Sequence, residues 1–139
     1  MLKNFKSSDI YMGRLEKNDD LLKELTNIVQ QNNIEAASIK VIGAVQKARI
    51  EYYDQDKFEY KYKEFDQALE IVSCIGNISI LEGKPFIHAH IILADREGNC
   101  YGGHLAEGSK VFAAEFVIQT LQGNKLIRKF KDDTKLKLW

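Results

Sequence analysis

Apolar positions between residues 19 and 33 repeat with the period of a helix. Leu21, Leu22, Leu25, Ile28 and Val29 fall at i, i+1, i+4, i+7 and i+8, a single stripe on a helix that Asp19 or Asp20 would cap and Asn32-Asn33 would end. From residue 37 the pattern becomes that of strands. Ala37 to Tyr53 is rich in Ile, Val and Ala, with Gly43 at an expected bend or bulge. Phe58, Tyr60 and Tyr62 alternate with Glu59, Lys61 and Lys63, the period of a half-exposed strand whose aromatics are expected on the core side rather than at an interface. Leu69 to Ile75 reads as a strand closed by Gly76-Asn77, Phe86 to Ala94 and Cys100 to Leu105 flank a turn, and Val111 to Leu121 fits either strand or helix. One main helix near the N-terminus with seven or so strands, mostly neighbours in sequence, predicts an α+β fold with a mostly antiparallel β-sheet, residues 1–139 forming one domain.

The segment between residues 83 and 105 holds all three histidines of the chain. Residues two apart on a strand point the same way, so His88 and His90 share a face. Asp95-Arg96-Glu97-Gly98-Asn99 suits a three-residue hairpin loop, a type I turn with Gly98 in the left-handed position. Pairing Asp95 with Asn99 puts His90 directly opposite His104, with Cβ atoms about 4.5–5.5 Å apart, and His88 on the diagonal at about 7–8 Å. Three imidazoles then converge as a divalent metal requires, whereas a slip of one residue would turn His104 to the other face. The alternative, buried histidines satisfied by hydrogen bonds, suits a lone histidine better than three in register. Neutral imidazole accepts Zn, Cu, Fe or Ni, and availability makes zinc the expectation. Phe86 and Ile92 share the histidine face, with Gly102 opposite Ile92 leaving room for a ligand, while Ile87, Ala89, Ile91 and Leu93 line the other. A strand apolar on both faces is covered on both, by the core and by another subunit.

Composition narrows the function. Lys and Arg number 20 and so do Asp and Glu, a balance that argues against a broad basic nucleic-acid surface. The positive excess is local: Lys125, Arg128, Lys129, Lys131, Lys135 and Lys137 face only Asp132 and Asp133 between residue 125 and Trp139, which makes this stretch the weak candidate for DNA, or else a lysine-protected edge strand. No apolar run has a membrane helix's length, and the start Met1-Leu2-Lys3-Asn4-Phe5-Lys6 is unlike a signal peptide. Cys74 and Cys100 are too few for a disulfide scaffold, so reduced thiols and a cytoplasmic location are expected. An open metal position would permit hydrolase or lyase chemistry or the binding of a small molecule. Catalytic residues are otherwise unassigned, since Glu70, Glu107 and Glu115 are candidate bases by type alone.

Several segments together resemble the PPC (plant and prokaryote conserved) domain in its stand-alone prokaryotic form. They are Gly13-Arg14-Leu15, Gly43-Ala44-Val45, Leu69-Glu70-Ile71-Val72-Ser73 with Gly76-Asn77-Ile78-Ser79, then Gly83-Lys84-Pro85-Phe86-Ile87-His88-Ala89-His90, and Gly102-Gly103-His104-Leu105. The resemblance implies a homotrimer built by strand packing and a metal, usually zinc, on His88, His90 and His104. Stand-alone members are commonly described as DNA-binding, partly after plant relatives in which an AT-hook precedes the domain. This chain has no Arg-Gly-Arg-Pro hook, and Gln67-Ala68-Leu69-Glu70-Ile71-Val72 stands where the plant form has Gly-Arg-Phe-Glu-Ile-Leu.

Overall fold

The computed structural model describes residues 2–139. The chain runs β1 (Phe5–Leu15), α1 (Leu21–Gln31), β2 (Ala37–Asp54), β3 (Glu59–Phe65), β4 (Leu69–Leu81), β5 (Lys84–Ala94), β6 (Cys100–Leu105), β7 (Lys110–Gly123), β8 (Lys129–Lys131) and β9 (Leu136–Leu138). A mostly antiparallel sheet with one helix is therefore the architecture, as the apolar periodicity predicts.

The helix forms where the stripe places it. Asp20 caps α1, accepting from the Lys23 amide at 3.1 Å. Asn33 follows its end with a positive φ of 53°, which asparagine tolerates better than most residues. Leu21, Leu25 and Val29 are fully buried, and α1 lies against β5. That burial accounts for the inner face of β5, whose Ile87, Ala89, Ile91 and Leu93 all sit in the core.

Seven strands form one sheet in the order β1-β7-β2-β4-β5-β6, with β3 added to β2. The 18-residue strand β2 organises it. Its first half lies between β4 and β7; its second half pairs with β3 and, through Ile50↔Leu105 and Glu51↔His104, with β6. The set β2-β4-β5-β6 thus closes on itself. Two glycines make the closure possible. At Gly43 φ is 137° and the register shifts, the expected bulge; a Cβ there would collide with the Ala113 carbonyl. At Gly103 a Cβ would stand 2.6 Å from the Glu51 carbonyl oxygen, so only glycine lets β6 approach β2 this closely.

Two elements complete the expected picture and two expectations are corrected. The stretch of residues 5–15 forms β1, which the sequence pattern does not announce: Ile10 and Met12 face outwards while Tyr11 and Leu15 pack on the core, so apolar residues occupy both parities. Residues 110–123 are strand, because they fill the space between β1 and β2. Phe58 belongs to the turn before β3, with φ 54°, and Tyr60 and Tyr62 are exposed rather than turned to the core. The C-terminal stretch is no simple edge strand: residues 126–128 dock beside Ile80, and β8-β9 make a small separate hairpin.

Candidate metal centre

The hairpin between β5 and β6 has the expected register. Asp95 N–H donates to the Asn99 carbonyl and Gly98 N–H to the Asp95 carbonyl, both at 3.0 Å, with Gly98 at φ 84°. The Asp95 carboxylate holds the loop from inside, accepting from the Glu97 and Asn99 amides and from the Tyr101 hydroxyl. His90 consequently stands opposite His104 and Ile92 opposite Gly102.

The row containing the histidines can be followed across seven strands. Met12 pairs with Val117, Val117 with Lys40, Lys40 with Ile75, Ile75 with His90, His90 with His104, His104 with Glu51, and Glu51 with Tyr62. Directly paired residues share a face. The whole row therefore lies on the surface of the sheet away from α1, and His88 stands on that same face two residues from His90.

His88 Nε2 and His104 Nδ1 are 3.2 Å apart, and one nitrogen from each of the three rings lies within 4.8 Å of the others. Tetrahedral zinc with nitrogen ligands at about 2.0–2.1 Å spaces those nitrogens by about 3.3 Å. A proton shared between His88 and His104 fits the same distance, but it leaves the third ring unexplained. The rings of His90 and His104 have centroids 4.2 Å apart, and Tyr60 meets His104 edge-on at 5.6 Å. Burial, then the positive charge of Arg128, then the other two imidazoles hold His88 down at about 4. Burial and His90 also lower His104, against a smaller opposing pull from Glu51. Both rings are therefore neutral at pH 7, the form that ligates a metal. The three side chains could hold a metal ion, and the donor set fits one.

A cavity of about 330 Å³ opens beside His88 and His104, walled by Tyr60, Phe86, Arg128 and residues of the β8-β9 hairpin. None of Glu70, Glu107 and Glu115 lines it. Glu107 pairs with Lys23 at 3.3 Å, Glu70 stands opposite Ala44 and Ala94, and Glu115 opposite Arg14 and Ile42. Two residues near the histidines escape sequence reasoning. Glu51 adjoins His104 through the remote β2-β6 pairing, for which no local signal exists. Arg128, counted among the tail cations, is buried and donates from Nε to Ser79 Oγ at 2.7 Å and from a terminal nitrogen to Asn77 Oδ1 at 3.2 Å.

The fold recurs in solved structures. A metal-containing protein from Archaeoglobus fulgidus superposes with a TM-score of 0.95 at 40% identity, covering 100% of this chain and 98% of that one. A plant- and prokaryote-conserved (PPC) protein from Pyrococcus horikoshii gives 0.94 at 37%, covering 100% and 96%. A protein from Ralstonia eutropha JMP134, named for an expected DNA-binding role, gives 0.82 at 26%, covering 92% and 88%. Among curated proteins the chain is 29% identical over 111 residues to the bifunctional protein GlmU of Synechococcus sp. strain JA-3-3Ab, matching with 78% of its own length but spanning only 17% of that relative. The model of the Plants and Prokaryotes Conserved (PCC) domain matches residues 2–122, and the chain belongs to that family.

Proposed function

We propose that the protein is a homotrimeric metal-binding module of the cytoplasm that holds one divalent ion, zinc, on His88, His90 and His104. The observation that carries this reading is the 3.2 Å approach of His88 Nε2 to His104 Nδ1 with the third ring beside them. The likeness to the metal-containing Archaeoglobus protein supports it, and both cysteines are free, as in a reducing compartment. Three protein ligands leave a position for water or a small ligand, which separates such a site from a closed structural one. Hydrolase or lyase chemistry at that position would need a base, and the three glutamates singled out by type do not reach the cavity. Metal analysis of untagged protein tests the assignment: about one equivalent of zinc per chain is expected, and less than a tenth overturns it. His104→Ala should lose the ion.

Association between copies is supported by the outer face of the sheet, and the number three follows the family resemblance. Met12 is 78% exposed, Ile42 and Ile75 each 58%, and Ile92 44%, apolar residues that share this face with His90 and with Lys40. Such patches mark contacts between chains.

DNA binding is a second reading, favoured by the likeness to the Ralstonia protein. The basic tail gives it limited support, since Lys125 pairs with Glu35 at 2.7 Å, Lys137 with Glu82 at 2.6 Å and Lys135 with Asp132 at 3.5 Å, while Arg128 is buried. Lys129 and Lys131 remain outward on β8. Gel shifts across a salt series decide this reading, because phosphate contacts are strongest at low salt and binding absent there ends it.

A further inference from the structure

The cavity beside the histidines has a second charged wall that metal ligation does not use. Arg128 is 8% exposed. Its Nε donates to Ser79 Oγ, one terminal nitrogen to the Lys137 carbonyl at 3.1 Å and the other to Asn77 Oδ1. All three acceptors are neutral, and none of the ion pairs among the described residues includes Arg128. A guanidinium has five N–H donors, so two remain after these bonds. Buried charges are ordinarily paired, and this one has no anion of its own chain.

What surrounds Arg128 indicates where the missing anion belongs. The guanidinium lies over the Phe86 ring at 5.2 Å and lines the same cavity as Tyr60, His88 and His104. Lys135 and Lys137 also border the cavity, and no acidic side chain does. Nearby carboxylates have cations of their own: Glu51, which adjoins His104 on β2, is held by Arg49 at 3.2 Å, Glu82 pairs with Lys137 and Asp132 with Lys135. The remaining wall is apolar: Leu81, Leu136 and Leu138. A volume of about 330 Å³ is at the lower end for small-molecule sites.

We propose that this cavity binds a small organic anion. Its oxyanion group, carboxylate or phosphate, accepts from the free N–H groups of Arg128, and a short carbon skeleton lies against Leu136 and Leu138. An oxygen of the same group reaches the open position of the ion on the three histidines; that last contact rests on the zinc reading, whereas the Arg128 contact does not. The β8-β9 hairpin is then the outer wall of a ligand site, and a bidentate, charge-assisted pair replaces the counter-charge that the chain omits.

Calorimetric titration of the metal-free and zinc-loaded protein with butyrate, butyl phosphate, butanol and butylammonium tests this. At least one of the two anions should bind the metal-free protein, and tenfold or more tighter than butanol, with butylammonium silent; which anion binds better separates carboxylate from phosphate as the natural head group. Arg128→Gln should weaken anion binding at least tenfold. Because that variant could fail to fold, Leu136→Trp provides a second arm: it fills the cavity without removing any Arg128 bond, and should abolish anion binding while the zinc content is unchanged. Neither anion binding in either form, butanol binding as tightly as the anions, or full affinity in folded Leu136→Trp overturns the proposal. Arg128-dependent anion binding in a protein that takes up no zinc upholds it and removes the zinc reading instead. Zinc uptake without anion binding does the reverse.

Discussion

His88 is the residue on which charge and burial meet in the candidate metal site. Its ring has an ordinary value near 6.5 in the unfolded chain and about 4 in the folded one. Between those values the unfolded state binds more protons, so the metal-free protein is most stable above about 6.5 and loses stability as the pH falls towards about 4. Melting temperatures of the metal-free protein should decline across that window, and His88→Asn should flatten the decline; an equal slope in both proteins contradicts it. The same ring shows what sequence conveys at this scale. His88, His90 and His104 were legible because strand parity and a recognisable turn are local rules. Arg128 was not: a cation in a lysine-rich tail looks solvated until Ser79 and Asn77, about fifty residues earlier, are brought beneath it.

Elements announce themselves when one face is apolar and the ends are chemically marked. α1 has both, and Asp20 does more than begin it. Its carboxylate accepts from the Lys23 amide at 3.1 Å and from the Gly108 amide at 2.6 Å, tying the helix start to the β6-β7 turn. Asp20→Ala should therefore cost about 1–2 kcal/mol, at the upper end for a cap because a second amide is orphaned as well. Urea denaturation measures this, and a loss below a few tenths would mean that the carboxylate contributes neither bond. β1 lacks such marks. Its outward Ile10 and Met12 blur the alternation, and the face they belong to is defined by the sheet rather than by the segment. The β5-β6 hairpin lies between these cases: Gly98 and Asp95 mark its turn, but the approach of β6 to β2 depends on Gly103 and on a partner strand fifty residues away.

Across the whole molecule the feature that governs assembly contacts is the outer face of the sheet, turned away from α1. Apolar Met12, Ile42, Ile75 and Ile92 share it with His90, so subunit packing there would place each metal site at a boundary between chains. Sedimentation should give three times the 15.9 kDa chain mass, and Ile42→Glu should shift it towards one while leaving the circular dichroism spectrum intact. A single-chain mass for the unaltered protein ends the trimer.

All three imidazoles belong to one stretch of 17 residues, His88 to His104, bent once at Gly98, whereas the strand that completes their surroundings comes from far upstream. If the three histidines hold an ion, a nascent hairpin would capture it before β2 has found β6. Loop closure over that short span is far less demanding than the long-range pairing that follows. Metal supply would then affect the speed of refolding, to the extent that the hairpin forms early, as well as the final stability.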